Sequence, residues 1–188
     1  DNFSILVVED NAFYQDLIVR HLKHTGYSSV DIAKDGREAL NKLHEGDYDL
    51  MLLDMEMPEL GGIGVLETIK SDMGLREIPV VVISGKDDQE NVVKCIELGA
   101  EDFLRKPFDP VLLTARLAAC LEKKQLNDQK TSFLQQIRSE KKRADDLLNV
   151  ILPSAAASEL KSSGTVRPRR FDNVAVLFCD IVGFTAFC

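Results

Sequence analysis

The chain has 188 residues, of which 45% are hydrophobic and 29% charged, and its formal net charge is −8. The apolar content is enough for a core, which excludes wholesale disorder, although the length is long for one compact domain and short for two. No run of about 18 apolar residues and no secretory leader occurs, so we expect a cytoplasmic protein without a membrane span. Since the first residue is Asp1, we expect a processed or trimmed N-terminus.

The charge is distributed unevenly along the chain. Residues 1–124 carry 24 acidic and 14 basic side chains, whereas residues 125–188 carry 7 acidic and 9 basic. Phosphate neutralisation needs clustered Lys and Arg, so the acidic first part argues against nucleic-acid binding. The later basic run of Arg167, Arg169 and Arg170 is too short for a nucleic-acid patch and is interpreted as a solvated loop. Four cysteines without paired spacing favour a reducing compartment.

Short aliphatic runs alternate with segments of helical spacing over the first 108 residues. The runs predict strands at 5–8, 30–33, 50–53, 80–83 and 103–104. The segments between them predict helices at 11–24, 36–43, 63–70 and 91–98. This alternation predicts an α/β fold with a doubly wound five-stranded parallel sheet, in which the polar Asp31 places the second strand near an edge. Four glycines follow the helices, where a left-handed stop is expected: Gly26, Gly46, Gly74 and Gly99.

Residues 112–152 contain no glycine and no proline, which predicts one long helix that Pro153 ends. Within it, apolar positions alternate by four and three residues and form a heptad seam with two polar interruptions. An earlier apolar set is out of phase with this seam and is expected to pack on the sheet. We predict that the seam pairs with a second copy of the chain, and a seam folded back on its own chain is the alternative. The seam comprises Leu126, Lys130, Phe133, Ile137, Glu140, Ala144, Leu147 and Ile151, and the earlier set comprises Leu113, Leu117, Cys120 and Leu121.

Polar side chains collect where the predicted strands end. The first strand ends in Glu9 and Asp10, the third in Asp54, the fourth in Ser84, and the fifth is followed by Lys106. Because the carboxyl ends of parallel strands share one edge, three carboxylates should meet there and repel one another unless a cation lies between them. Oxygen ligands in an open site favour Mg²⁺, beside which a carboxylate can act as a nucleophile toward phosphorus. The alternative is a set of solvated loop charges.

Four segments at this edge resemble the response-regulator receiver family. They are Glu9-Asp10, residues 54–58 followed by Gly61-Gly62, Ser84-Gly85, and residues 106–108, and their order and spacing agree over residues 3–122. The resemblance implies that Asp54 is the phosphoacceptor. It also implies Mg²⁺ bound by Asp10, Asp54 and the backbone carbonyl of Glu56, with Glu9 assisting.

The same resemblance assigns roles to the groups opposite Asp54. Lys106 would contact the phosphoryl oxygens, and the Lys106–Pro107 peptide would be cis, a form accessible before proline. Ser84 would move to bond the phosphoryl group, and Phe103 would be the coupled aromatic switch. Many relatives have Thr and Tyr at these two positions; without a hydroxyl, Phe103 can rotate but cannot make a switch hydrogen bond. None of the three histidines is expected at the acidic edge: His21, His24 and His44.

The end of the chain carries a second resemblance. Residues 171–185 resemble the opening strand of class III nucleotide cyclases, and residues 148–153 resemble the helix that enters that domain. This implies that Asp180 and the carbonyl of Ile181 bind a catalytic metal, and that residues 183–185 approach the triphosphate of ATP or GTP. A plain strand over 174–181 is the alternative. Since two-metal chemistry cannot run on one aspartate, we expect residues 1–188 to make no cyclic nucleotide.

Together these patterns predict three parts: a receiver at 1–122, a coiled-coil signalling helix at 123–152, and at 153–188 the truncated start of a cyclase domain, with a short helix near 155–160. A histidine kinase or phosphotransfer protein would phosphorylate Asp54, whose state would control the cyclase through a homodimeric helix. The alternative is a dimerisation module that is never phosphorylated. A DNA-binding output is less favoured, because the chain lacks a basic recognition helix.

Overall fold

The computed structural model describes residues 3–85, 89–168, 170 and 175. The chain divides into two compact units, the first ending at Phe133 and the second beginning at Leu134. Strands and helices alternate up to residue 151, and one short helix follows. The elements are β1 Ser4–Val8, α1 Ala12–His24, β2 Ser29–Ala33, α2 Gly36–Glu45, β3 Leu50–Asp54, α3 Gly62–Ser71, β4 Val80–Ser84, α4 Gln89–Glu97, β5 Asp102–Arg105, α5 Pro110–Ile151 and α6 Ser154–Ser163.

The strands form one parallel sheet in the order β2-β1-β3-β4-β5. The predicted doubly wound five-stranded sheet is therefore confirmed. Every residue of β3 and β4 is buried, which explains their unbroken apolar character. β2 lies at an edge, as its exposed Asp31 predicts. Since β1 and β3 are neighbours, the residues that end these two strands meet at one edge of the sheet.

Alternate strand residues point to opposite faces and build two cores. One core joins Leu6, Val8, Met51 and Leu53 with side chains of α2, α3 and α4. The other core joins the intervening strand residues with α1 and the beginning of α5. Each large apolar side chain buried in this way contributes about 1.5–3 kcal/mol. The prediction that the first apolar set of the long helix packs on the sheet is confirmed, because all four members are buried in the second core: Leu113, Leu117, Cys120 and Leu121.

Two of the four predicted glycine helix stops are confirmed and two are wrong. Gly26 and Gly99 adopt positive φ angles of 102° and 96°. Gly46 is extended at φ −137°. Its amide donates to the Lys42 carbonyl, and the chain then continues to Tyr48 without a left-handed turn. Gly74 lies too late, since α3 already ends at the extended Asp72.

The predicted long helix is present as α5, which has 42 residues and begins at Pro110. Pro is favourable at the first helical position because the amide it lacks would have no helical partner. Several apolar residues of the predicted seam are exposed, among them Leu126 (60%), Phe133 (64%) and Leu147 (64%). The coiled coil itself stays a prediction. α6 covers the short helix expected near 155–160 and ends at Gly164, which has φ 71°.

None of the helices in the described part of the chain is both long and apolar enough to cross a membrane.

Tyr48 provides a pH-dependent contribution to stability. Its hydroxyl donates to Asp31 Oδ2 at 2.8 Å, and burial, together with this bond and the nearby negative charges, raises the pKa of Tyr48 from 10.0 to about 12. Below pH 10 the phenol is protonated in both folded and unfolded chains, so its contribution is complete. As the pH rises toward 12, only the unfolded chain gains the ionised form, and stability falls.

We therefore expect tyrosinate absorbance to show a step near pH 12 that Tyr48→Phe removes. At neutral pH the same substitution should lower the free energy of unfolding by about 1 kcal/mol, because water can solvate the exposed Asp31 that is left behind. Tyr27→Phe is the matched control, since Tyr27 also has a raised pKa through burial but should leave the step near pH 12 in place. A Tyr48→Phe protein that retains this step would contradict the assignment.

Candidate functional site

Three carboxylates meet at the carboxyl edge of the sheet. Glu9 follows β1, and its amide donates to the Ala33 carbonyl at 3.1 Å, which extends the ladder by one residue. Glu9 and Asp54 are buried, whereas Asp10 is exposed. Carboxylate oxygens of Glu9, Asp10 and Asp54 all lie within 4.8 Å of one another. The structure thus brings together the three acids that the strand ends predict.

Lys106 is the cation of this site. It follows β5, where its amide donates to the Ser84 carbonyl at 2.7 Å, and the Lys106–Pro107 peptide is cis, as predicted. The Lys106 Nζ lies 2.7 Å from Glu9 Oε2 and 2.9 Å from Asp54 Oδ2. One ammonium group therefore contacts both buried carboxylates, and the ion pairs offset part of the cost of removing these charges from water.

Burial and charge act in opposite directions on the two coupled groups. Burial raises the pKa of Glu9, the bond from Lys106 opposes this, and the negative charge of Asp54 adds to it. Burial alone would lower the pKa of Lys106, but its bonds to Glu9 and Asp54 outweigh that effect and raise it. Among the described residues, one ammonium faces three carboxylates, which leaves negative charge at this edge that would attract a divalent cation.

Ser84 ends β4 beside the acidic cluster. The strand register places Ile83 opposite Asp54, so Ser84 lies one residue beyond the phosphoacceptor candidate. Its Oγ is buried and has no hydrogen-bond partner among the described residues. A buried hydroxyl without a partner costs about 1–3 kcal/mol, so a group arriving at this edge would find a donor ready to bond it.

The loop after β3 holds Asp54 in place. The Met55 amide donates to the Ile83 carbonyl at 3.0 Å, and the Gly62 amide donates to the Met55 carbonyl at 3.2 Å. A Cβ atom on Gly62 would lie only 2.5 Å from the Asp54 carbonyl oxygen, so the start of α3 can approach this closely only with glycine. Glu56 is the second residue of the loop, and its carboxylate lies 3.2 Å from where a Cβ on Gly85 would stand.

Comparison with known proteins identifies this arrangement. The family model described as "Response regulator receiver domain" matches residues 5–118. The chain belongs to the response-regulator receiver family. The receiver interpretation made from the sequence is thereby confirmed.

Individual relatives agree with this assignment. The receiver is 37% identical over 119 residues to the phosphate regulon transcriptional regulatory protein PhoB of Escherichia coli, covering 63% of this chain and 52% of PhoB. The chain spans about half the length of the curated relatives it matches. Among solved structures, a receiver domain of a Syntrophus aciditrophicus histidine kinase is 33% identical with a TM-score of 0.60, covering 64% of this chain and 91% of that one. NtrX of Brucella abortus is 31% identical with a TM-score of 0.65, covering 71% and 30%.

The acidic cluster of this receiver fits a magnesium ion. Receiver domains generally bind Mg²⁺ at such a pocket. Here the donors are carboxylate oxygens, which Mg²⁺ prefers, and exposed Asp10 leaves the site open to the waters that Mg²⁺ retains. Among the described residues, Lys106 leaves negative charge unbalanced, and this charge would attract the ion.

Phe103 lies on β5 opposite Val82 and is half-buried against the core that contains α2, α3 and α4. Of the histidines, His21 Nε2 lies 2.7 Å from Thr114 Oγ1, in a contact between α1 and α5.

Sequence reasoning missed Tyr14 and Gln15, in the first turns of α1. The Tyr14 ring lies under the Lys106 ammonium, with Nζ 4.5 Å from the ring centroid, and Phe108 lies 6.3 Å from Tyr14 between centroids. A cation over an aromatic face is attracted to it. Gln15 Nε2 donates to the Glu9 carbonyl. The available signal was their position four and five residues after Asp10, which places them on the first turns of a helix starting at the acidic edge.

The predicted cyclase residues Asp180 and Ile181, and most of the predicted strand at 174–181, lie outside the described residues.

Proposed function

We propose that this receiver accepts a phosphoryl group on Asp54 in a Mg²⁺-dependent reaction. The observation that carries the proposal is the contact of Lys106 Nζ with buried Asp54, in a cluster that also contains Glu9 and Asp10. A buried carboxylate held by an ammonium and placed beside a metal site can act as the nucleophile toward phosphorus.

In the proposed reaction a carboxylate oxygen of Asp54 forms a bond to phosphorus while the phosphorus–nitrogen bond of the donor phosphohistidine breaks. The electron pair of that bond leaves with the imidazole, and the product is an acyl phosphate. Mg²⁺ bound by Glu9, Asp10, Asp54 and the Glu56 backbone carbonyl would supply neutralisation of charge on the phosphoryl oxygens. Lys106 holds a second positive charge at the same place and thereby stabilises the transferring group.

We infer that Ser84, Phe103 and Pro107 respond to this modification. The phosphoryl group would give the Ser84 hydroxyl the partner that it lacks among the described residues. Movement of Ser84 at the end of β4 would change the space beside Phe103 on neighbouring β5, and that ring can rotate without losing a hydrogen bond because it has no hydroxyl. Pro107 fixes the turn that carries Lys106.

Removal of the metal tests the proposed reaction. Incubated with acetyl phosphate and Mg²⁺, the protein should acquire one acid-labile phosphoryl group, detected as a mass increase. Excess EDTA should abolish labelling, because both the charge neutralisation and the orientation of the donor phosphate are then lost. Adding Mg²⁺ beyond the EDTA should restore it. A protein that is never labelled under these conditions would instead support the dimerisation module without phosphorylation.

The exposed seam of α5 supports the proposal that the protein is a homodimer. Phe133, Ile137 and Leu147 leave 64%, 45% and 64% of their surface exposed, and they recur at heptad spacing along one helix. A second copy of the same helix offers a matching stripe, and knobs-into-holes packing would bury both.

Disruption of the seam tests the homodimer. The double variant Phe133→Ser, Ile137→Ser should be monomeric by analytical ultracentrifugation at concentrations where the parent protein is a dimer, because two apolar layers are lost from each helix. The matched control is Gln135→Ser, Lys142→Ser, which makes the same number of changes on the other side of α5. If both double variants sediment as the parent does, the seam is not the dimer contact.

We propose that the phosphorylated receiver acts through this helix on a class III nucleotide cyclase. The support is the sequence of residues 171–185, including Asp180 and Ile181; seven residues lie between the end of α6 and residue 171. The proposal requires a second metal-binding aspartate about one hairpin beyond Cys188. A full-length sequence without one would contradict the cyclase output.

A further inference from the structure

A basic cavity of about 470 Å³ lies at the amino-terminal edge of the sheet, opposite the acidic site. Its position follows from its lining: Pro79 directly precedes β4, Glu101 directly precedes β5, and Lys70 lies near the end of α3. Arg76 and Glu77, in the segment before Pro79, also line it, and the rest of the wall consists of α5 residues between Cys120 and Lys130. The proposed phosphorylation does not use this cavity.

Cations outnumber anions in the cavity wall. Its acidic members are Glu77 and Glu101, and its basic members are Lys70, Arg76, Lys123, Lys124 and Lys130. Three of the basic groups already have carboxylate partners: Arg76 with Glu77, Lys123 with Glu101, and Lys124 with Asp49 and Asp128.

Two lysines of the cavity lack an ion pair in the described part of the chain. Lys70 Nζ donates to the carbonyls of Arg76 and Ile78 at 2.8 and 3.0 Å, and burial lowers the pKa of Lys70. Lys130 has no carboxylate within ion-pair distance among the described residues. An incoming anion would therefore neutralise the charge of these two lysines more than that of the three cations that already have carboxylate partners.

Lys130 is also the first polar interruption of the heptad seam, which dimerisation does not explain. An apolar residue at this position would strengthen a coiled coil, whereas a lysine weakens it. Because Lys130 lines the cavity next to Leu126 and Asn127, its positive charge would be available to bind an anion in the cavity. Leu126 and Lys130 thus belong both to the seam and to the cavity wall, where α5 extends beyond the sheet.

We propose that this cavity binds a small organic phosphate. The phosphate group would lie between Lys70 and Lys130, with Lys123 or Arg76 completing its neutralisation. An apolar or aromatic body would contact Pro79, Leu126 and the alkyl stems of the lysines. The volume lies within the range of small-molecule pockets. A dianionic phosphate is favoured over a carboxylate because it must compete with Glu77 and Glu101 for the same cations.

Titration of the full chain with adenosine 5′-monophosphate tests this proposal. The experiment is done at low salt without Mg²⁺, so that the acidic site holds no metal to attract phosphate. We expect amide NMR shifts to change at residues 120–130 but not at Asp54. Binding should be weaker for inorganic phosphate and absent for adenosine. Equal binding of adenosine, or no shift change at about 10 mM nucleotide, would overturn the proposal.

Two charge variants should change the affinity in opposite directions, which misfolding of the variants could not produce. Lys130→Gln should weaken binding about 3- to 10-fold through loss of a charge-assisted bond, whereas Glu101→Gln should tighten binding, because it removes a competing carboxylate and frees Lys123. Lys142→Gln, which changes the same charge on α5 outside the cavity, should leave affinity unchanged. Equal weakening by Lys130→Gln and Lys142→Gln would show a non-specific charge effect and refute the site. Weakening by Glu101→Gln would show that Glu101 does not compete with the phosphate for Lys123, and would also refute it.

Discussion

Asp54→Asn is expected to abolish acid-labile phosphorylation by acetyl phosphate, to below the limit of detection. The amide that replaces the carboxylate has no nucleophilic oxygen for phosphorus and cannot form an acyl phosphate. The fold should survive this change. Asp54 shares one ammonium with Glu9, so removal of one buried negative charge relieves repulsion between the two side chains. Intact-mass measurement before and after acid treatment detects the modification directly.

Asp47→Asn is the matched control for this experiment. Asp47 is exposed in the turn before β3, so the same chemical change there should leave labelling at the parent level. Thermal unfolding of both variants should show that each remains folded. Retained labelling of a folded Asp54→Asn protein would disprove the assignment of Asp54 as the phosphoacceptor, although it would leave the receiver fold untouched.

Gly62→Ala is expected to lower the free energy of unfolding by about 1–3 kcal/mol, the range for forcing an extra methyl into a packed region. Helix propensity predicts the opposite sign, since alanine is favoured over glycine inside a helix by up to about 1 kcal/mol. The steric effect wins because the new methyl would lie 2.5 Å from the Asp54 carbonyl oxygen and 2.9 Å from the Met55 Cα, both of which are backbone atoms. Backbone displacement at Asp54 should also slow phosphorylation.

Gly61→Ser provides the comparison, one residue earlier. A Cβ at Gly61 would meet nothing closer than the Met55 carbonyl oxygen at 3.6 Å, and φ is −66°. Gly61 is the N-cap of α3 and supplies no side-chain cap, which serine can add. Urea titration should therefore find Gly61→Ser within about 0.5 kcal/mol of the parent. Equal stability of Gly62→Ala and the parent would show that the β3–α3 loop is less tightly packed than the contacts indicate.

The sheet and the acidic edge could be predicted from the sequence because both follow from short-range patterns. The unbroken apolar runs that end in Asp54 and Ser84 are typical of strands buried on both faces, and parallel strands place their last residues together. Glu9, Asp10 and Lys106 are then at the same edge without any knowledge of tertiary contacts. Asp31 identified β2 as the edge strand from the sequence alone, because a charged residue in the middle of a strand is tolerated at an edge, where it can reach solvent.

The contacts that sequence reasoning missed depend on how helices turn against the sheet. Tyr14 reaches Lys106 only because of the direction in which α1 leaves the acidic edge, and an aromatic residue on an amphipathic helix otherwise indicates core packing. The prediction of a left-handed helix stop at Gly46 was wrong for a related reason. A glycine after a helix does not reveal whether the chain turns back or continues extended. The cavity beside Lys130 joins residues from α3, from the segments that precede β4 and β5, and from α5, and no local pattern brings these together.

The complete burial of β3 has a consequence for how such a protein can change over evolutionary time. Asp54 is the last residue of a strand paired on both sides and buried along its whole length, so we expect its position to depend on a part of the fold with a high free energy of opening. The exposed positions of α5 around Phe133 contribute nothing to that core. Substitutions along this exposed part of α5 can therefore alter its interactions without disturbing the site around Asp54. The helix surface and the site can then evolve separately.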